Sequence, residues 1–334
     1  MQIKKPLFII FGITGDLSNK KIIPAIYNNY KKDKIKDLAV IGIGRRDITS
    51  NKIIQNSKKN FGTINKQKLK SFKKKFYYFQ ADADDEKKLK KLKEFTNKIE
   101  KKHKLKGDRV FFLAMDPKFF NKISNKIKKH KLEGNKQTRV LFEKPFGKNL
   151  KNAKQISEEI KKVFNEKEIY RIDHYLGKEL VQNLAVLRFT NLILEQLWNK
   201  KYIDHIQIII SEESGIKNRG NYYDKYGALK DVIQNHMLQL LSLIAMEQPV
   251  KLSGEYIRDE KVNILKKIRV EKTALGQYSG YKKEKNINKN SRTETLAALK
   301  IYINNERWRN TPIYLLTGKK MKKKQTKIFI EFKK

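Results

Sequence analysis

Residues 7 to 13, Leu-Phe-Ile-Ile-Phe-Gly-Ile, contain no polar side chain, and the chain then turns through Thr14-Gly15-Asp16. A strand with one wet face would alternate apolar and polar residues. A continuous apolar run fits a strand covered on both faces, as in a parallel sheet sandwiched between helices. The following residues agree. A helix from about Leu17 to Tyr30 carries Ile22, Ile23, Ile26 and Tyr30 on one face, and a second strand, Leu38 to Ile43, leads into Gly44-Arg45-Arg46. The unit reads βαβ. Further strand candidates at Phe76 to Phe79, Arg109 to Ala114 and Arg139 to Phe142 alternate with lysine-rich helices. In one of these, Lys87 to His103, the residues Leu89, Leu92, Phe95 and Ile99 recur at helical spacing. This alternation predicts an α/β chain that begins with a Rossmann-type doubly wound parallel sheet.

After about Tyr175 the pattern changes. One long apolar helix is expected over Leu180 to Trp198 and another over Val232 to Met246. Strands are expected at Ile206 to Ile210, Thr293 to Ile303, Ile313 to Leu316 and Lys327 to Phe332, with a loop at Lys282 to Asn290. At 334 residues the chain is long enough for two domains. The expected division is a nucleotide-binding domain over 1–175 and, over 176–334, an α+β domain built on an antiparallel sheet.

Seventy-seven basic against 35 acidic residues give a net charge of +42. Lysine greatly outnumbers arginine and is scattered over nearly every polar face, whereas base-reading surfaces concentrate arginine. The charge therefore implies attraction of anionic substrates and phosphorylated cofactors and argues against specific nucleic-acid recognition. Cysteine is absent, which removes disulfides and thiolate metal sites and leaves the cytoplasm as the default compartment. The N-terminal apolar run is too short for a signal core, and no stretch reaches the roughly 18 apolar residues of a membrane span.

Gly12-x-x-Gly15-x-x-Ser18, between a buried strand and a helix, would aim backbone N–H groups at a pyrophosphate. The same glycine spacing also serves ligand-free strand-to-helix turns. Where the second strand ends, an NAD-specific protein presents an acid to the ribose 2′-hydroxyl; Arg45 there favours a 2′-phosphate and hence NADP. In so basic a chain an incidental arginine is the other reading. Arg171-Ile172-Asp173-His174-Tyr175-Leu176-Gly177-Lys178-Glu179 packs a carboxylate, an imidazole, a phenol and an amine into nine residues. His174, Tyr175 and Lys178 could converge on a phosphate, or the segment is an ordinary polar helix start. His236 lies on an apolar stripe between Val232 and Leu240, where imidazoles are usually satisfied core residues; an acid partner from elsewhere would make it a general base. His103, His130 and His205 lack comparable company, and no metal site is expected.

The segment Arg171 to Glu179 resembles the signature of the glucose-6-phosphate dehydrogenase family. The likeness continues through Val181-Gln182-Asn183-Leu184 and Leu187-Arg188-Phe189. Upstream it takes in Gly12-x-Thr14-Gly15-Asp16-Leu17 and Glu143-Lys144-Pro145-Phe146-Gly147. Downstream it takes in Glu212-x-x-Gly215, Arg219, Tyr222-Tyr223-Asp224, Gly227, Asp231-Val232-x-Gln234-Asn235-His236, Asn305-Glu306-Arg307-Trp308 and Gly318-Lys319. It thus spans essentially the whole chain.

The resemblance implies oxidation of glucose 6-phosphate with NADP. His236 is then the general base and Asp173 its partner, with His174, Tyr175 and Lys178 on the substrate phosphate. Glu212, Asp231 and Lys319 bond sugar hydroxyls, and Lys324 adds to the anionic-substrate pocket. Lys144 lies between sugar and nicotinamide and precedes a cis Pro145. Gly12, Thr14, Gly15, Asp16, Leu17, Arg45 and Lys144 contact the cofactor. Asn19 departs from the family by standing where a basic residue often follows the dinucleotide turn, and Asp116-Pro117 replaces a usual proline pair. Family members also continue beyond the strand Lys327 to Phe332 and complete a large sheet that carries much of a dimer interface. The expectation is therefore an incomplete antiparallel sheet and a weakened homodimer. The alternative reading is a truncated, inactive or partner-dependent relative, with a basic nucleic-acid-binding protein third.

Overall fold

A computed structural model of the chain describes residues 5–82, 85–147 and 149–334. They form two compact units, Met1–Ile172 and Asp173–Lys334.

The first unit is built on six parallel strands: β1 (Leu7–Phe11), β2 (Ala39–Gly44), β3 (Phe76–Gln80), β4 (Arg109–Leu113), β5 (Thr138–Phe142) and β6 (Ile169–Arg171), in the order β3-β2-β1-β4-β5-β6. The unbroken apolar run is explained by its surroundings. Leu7, Ile9 and Phe11 of β1 face one layer, with helices Glu86–Lys102, Phe120–Lys129 and Leu150–Lys161. Ile10 and Phe8 face the other, with helices Ile23–Lys31, Ser50–Lys58 and Lys66–Lys74. Both faces are dry, so period-2 alternation of polarity is lost while alternation of direction remains. β6, only three residues long, gave no sequence signal.

The second unit carries five strands, β7 (Ile203–Ser211), β8 (Ile268–Gly276), β9 (Leu296–Ile303), β10 (Ile313–Gly318) and β11 (Gln325–Phe332), in the order β11-β7-β10-β9-β8. The expected antiparallel sheet is corrected to a mixed one: β7 and β10 run parallel, with Ile206 opposite Ile313 and Ser211 opposite Gly318, while the other pairs are antiparallel. β8 was hidden from pattern reading because most of it is exposed and charged residues interrupt it. Ile206, Ile208 and Ile210 point into the core, where Leu240, Leu241, Ile244 and Trp308 pack.

The single helix expected over Leu180 to Trp198 is two, Glu179–Phe189 and Leu192–Leu197. Thr190 turns its hydroxyl back onto the Val186 carbonyl, and the Asn191 side chain accepts the N–H of Leu194, so one helix ends where the next is capped. The break brings Glu195 back to Arg188. Arg188 is fully buried, reaches Glu195 at 2.9 Å and donates to the Ile244 carbonyl at 2.7 Å. Burial pushes its guanidinium down to about 10, against the pull of Glu195. Among the described residues no helix is long and apolar enough to cross a membrane.

Removing a buried cation that has two kinds of partner should be costly. Arg188→Met is expected to destabilise the fold by about 3 kcal/mol in urea unfolding. A loss under about 1 kcal/mol would mean that the pair contributes little beyond what packing replaces.

Candidate active site

In the first unit, a cavity of about 300 Å³ opens where the strands end. Its walls include Gly12, Thr14 and Gly15 after β1, Arg45 and Arg46 after β2, Asp82 after β3, and Met115 after β4. The strand order runs outward from β1 in opposite directions, through β2 to β3 on one side and through β4 to β6 on the other, so this is the crevice where open parallel sheets bind ligands. Gly12 has φ 82°, and a Cβ there would run into the Ala114 carbonyl, so the position demands glycine on two counts. Ser18, the third small residue of the motif, donates its hydroxyl to the Gly12 carbonyl at 3.0 Å and begins a helical stretch that runs to Lys31. Asn19 donates to the Gly15 carbonyl at 2.9 Å and accepts from Ser57 at 2.9 Å, so the residue that departs from the family pins the turn. Asp16 pairs with Lys20 at the surface and Leu17 is about one-third exposed. Arg45 is mostly exposed, 3.8 Å from Asp82. Lys144 follows β5 and precedes a cis peptide bond to Pro145.

In the second unit, the segment before helix Glu179–Phe189 folds as tight turns. Asp173 accepts the N–H of Tyr175 at 2.8 Å, a short-range bond that aspartate makes readily. The same carboxylate oxygen lies 2.8 Å from Nδ1 of His236. A carboxylate can only accept, so Nδ1 carries the proton and the Nε2 lone pair is left for a ligand. Tyr175 stacks on the His236 ring at 4.4 Å between centroids, and His174 meets the ring edge-on at 4.6 Å. Burial pushes the Asp173 carboxyl upward, but the bond and charge of His236, the Tyr175 N–H and the charge of His174 outweigh it, so it titrates below the usual aspartate range.

His236 points this way because its helix is not an α-helix. Leu229–Met237 is a π-helix, whose i→i+5 bonding is seen in the N–H of Leu238 reaching the Ile233 carbonyl. In an α-helix, positions five apart diverge by about 140° around the axis. The wider π turn brings Asp231 and His236 toward one side. Sequence reading expected a regular helix from Val232 and missed this. Asp231 is buried and accepts from the Tyr222 hydroxyl at 3.1 Å.

The parallel pairing of β7 with β10 has its own consequence. The residues just beyond Ser211 and Gly318 become neighbours: Glu212 N–H donates to the Gly318 carbonyl, and Lys319 Nζ lies 2.5 Å from Glu212 Oε1. Antiparallel β11 enters the sheet at that end, placing Lys324 beside it and Thr326 opposite Ile210. Lys178 reaches across to donate to Thr326 at 3.1 Å and sits 3.6 Å over the Tyr175 ring. Burial and the nearby charge of Lys324 lower the Lys178 ammonium. Burial raises the Tyr175 phenol, as do the carboxylates of Glu212, Asp173 and Asp231 around it. Asp173, His174, Lys178, Glu212, Asp231 and His236 therefore lie around the Tyr175 ring, with Lys319 joined to Glu212 and Lys324 close enough to Lys178 for its charge to be felt. Tyr222 and Thr326 were not singled out as site residues; strand register alone places Thr326, and register was not legible. The other histidines have partners too: His103 bonds Tyr77, His130 bonds Glu86, and His205 bonds Asp204.

Two family models match the chain: "Glucose-6-phosphate dehydrogenase, NAD binding domain" over residues 9–183 and "Glucose-6-phosphate dehydrogenase, C-terminal domain" over residues 185–334. The chain is 39% identical to the glucose-6-phosphate 1-dehydrogenase of Bacillus subtilis, covering 99% of this chain and 72% of that protein. It is also 39% identical to the enzyme of Chlamydia pneumoniae, covering 98% and 69%. A solved glucose-6-phosphate dehydrogenase in complex with its substrate glucose-6-phosphate superposes with a TM-score of 0.93 at 34% identity, covering all of this chain and 72% of that one. The corresponding enzyme from Mycobacterium avium gives 0.87 at 32%, covering 98% and 73%.

The depressed Asp173 carboxyl fixes the sign of a pH effect. Its stabilisation is complete above the unfolded value near 4 and is lost as pH falls through the lower folded value. Asp173→Asn should therefore lose less unfolding free energy than the parent between about pH 5 and about pH 3, measured by urea denaturation. Parallel pH curves would contradict the depressed carboxyl.

Proposed function

The chain belongs to the glucose-6-phosphate dehydrogenase family, and from that membership we propose that it oxidises D-glucose 6-phosphate to 6-phospho-D-glucono-1,5-lactone with hydride transfer to NADP, the first step of the oxidative pentose phosphate pathway. The observation that carries the reading is the Asp173–His236 hydrogen bond, set beside a cluster of cations suited to a phosphate.

The cavity at the strand ends of the first unit suits a nicotinamide dinucleotide. Its glycine turn leaves no room for a side chain, and the helix start behind it favours a pyrophosphate. When bound, the nicotinamide supplies the hydride acceptor. The second unit does the rest. His236 takes the proton of the anomeric hydroxyl at Nε2; the O–H pair becomes the second bond of the lactone carbonyl, and the C1–H pair leaves as hydride. Asp173 holds the proton on Nδ1 and stabilises the imidazolium that forms. Lys178 and Lys324, whose like charges oppose one another, gain from a phosphate dianion, and His174 and Tyr175 complete that pocket. Glu212, Asp231 and Lys319 are assigned to the sugar hydroxyls, and Lys144 to both sugar and cofactor. Most of the barrier is met by positioning, because the hemiacetal gives up hydride readily once its proton is leaving.

Arg45 favours NADP because an exposed guanidinium at the end of β2 can pair a 2′-phosphate. Asp82, 3.8 Å away, is the feature that would suit the ribose hydroxyls of NAD instead. Self-association is assigned to the sheet face away from the helices, where Gln207, Lys272, Lys300 and Tyr314 border an open cleft of about 580 Å³.

With glucose 6-phosphate and NADP the purified protein should reduce the nicotinamide. His236→Ala should cut kcat by roughly 10³-fold while leaving substrate binding nearly intact. A variant that keeps its turnover would remove the base. Arg45→Ala should raise KM for NADP at least about tenfold more than KM for NAD, and equal changes would remove the 2′-phosphate argument.

A further inference from the structure

The π-helix that carries Asp231 and His236 is started by a residue from elsewhere in the chain. Gly227, with φ 63° and ψ −178°, breaks the backbone between helix Gly220–Ala228 and Leu229–Met237. A helix leaves the N–H groups of its first turn without intrahelical acceptors, and a short polar side chain just before the turn ordinarily takes one of them. Ala228 occupies that position here and has no such side chain. Glu294 takes its place: Ala228 donates to the main-chain carbonyl of Glu294 and Leu229 to its side-chain carboxylate, each at 3.0 Å. A Cβ on Gly227 would run into that carboxylate, so the bare backbone at the break is what admits it. The neighbours of Glu294 are held as well. Thr293 donates its hydroxyl to the Asp224 carbonyl at 2.7 Å. Thr295 is fully buried, and its carbonyl accepts the N–H of Lys319 at 2.9 Å. Glu294 and Thr295 thus connect the start of the helix bearing His236 with the strand end where Lys319 meets Glu212.

We propose that Glu294 is a positioning residue for the dehydrogenation: by holding the N–H of Leu229 it sets where the π-helix begins, and hence where Asp231 and His236 stand relative to Lys319 and Glu212. The inference rests on the reading of His236 as the base. A shift at Leu229 is carried along the helix to both residues, because the buried face of that helix is packed into the core and moves as a body. The bond from Asp173 fixes the tautomer of the imidazole. The Glu294 link adds a second reference, from the helix to the sheet. Proton removal and hydride departure must coincide on one carbon, and a misplacement of about 1 Å between the base and the groups that hold the sugar can cost about 10²-fold in rate.

The test measures kcat and KM with glucose 6-phosphate and NADP, well below the melting temperature of each variant. Glu294→Ala should lower kcat about tenfold or more while KM for glucose 6-phosphate changes by less than about threefold, since His174, Tyr175 and Lys178, assigned to the phosphate, lie on a separate segment. Glu294→Gln keeps a side-chain oxygen for the Leu229 N–H and should stay within about threefold of the parent kcat. A glutamate that serves only as a helix cap would lower the melting temperature and leave the kcat of the folded protein unmoved. That result overturns the proposal, as does a Glu294→Gln protein no faster than Glu294→Ala. Should Glu294→Ala fail to melt cooperatively, Glu294→Asp is read in the same way, because its carboxylate stops one methylene short of Leu229. Turnover retained by His236→Asn would instead sink the base assignment, whereas an inactive His236→Asn beside an unimpaired Glu294→Ala sinks the glutamate inference alone.

Discussion

The 2.8 Å hydrogen bond between Asp173 and His236 ties together residues 63 positions apart in the chain, and the chemistry proposed for the second unit depends on it. Each partner is aimed by something local. Asp173 is held by the N–H of Tyr175 in a tight turn, and His236 by a π-helix that rotates it off the apolar stripe where an α-helix would have left it. Neither device is costly to build, but together they fix a tautomer, and a fixed tautomer distinguishes a base from a buried imidazole.

Parallel strand pairing recurs at both sites. In the first unit the strands run parallel, and the loops that follow β1, β2, β3 and β4 line the crevice assigned to the nucleotide. In the second unit the single parallel pair, β7 with β10, makes Glu212 and Lys319 neighbours and lets β11 bring in Thr326 and Lys324. Had that sheet been wholly antiparallel, as its sequence suggests, the residues after β7 and β10 would stand at opposite ends. The connections that permit the parallel pair therefore belong to the construction of the site as much as to the fold.

Much of this was legible in the sequence because the signals are local. The apolar run before Gly12, the spacing to Gly15 and Ser18, and the dense segment Arg171 to Glu179 are contiguous, and contiguous patterns survive reading one residue at a time. The features missed are of another kind. The break at Thr190 and Asn191 rests on two side-chain bonds that compete with the helix. The π turn at Leu229–Met237 shifts a periodicity by less than one residue per turn. β8 is too exposed to show an apolar face, and the parallel pairing depends on residues about a hundred positions apart.

The central claim is that Nε2 of His236 receives the anomeric proton while the cations around Tyr175 hold the phosphate. A crystal structure of the inactive His236→Asn protein with glucose 6-phosphate tests it most directly. The account predicts the sugar's O1 within hydrogen-bonding distance of residue 236, about 3 Å, and the phosphate against His174, Tyr175 and Lys178. A phosphate lodged elsewhere, or an O1 turned away from residue 236 with Asp173 in place, would contradict it.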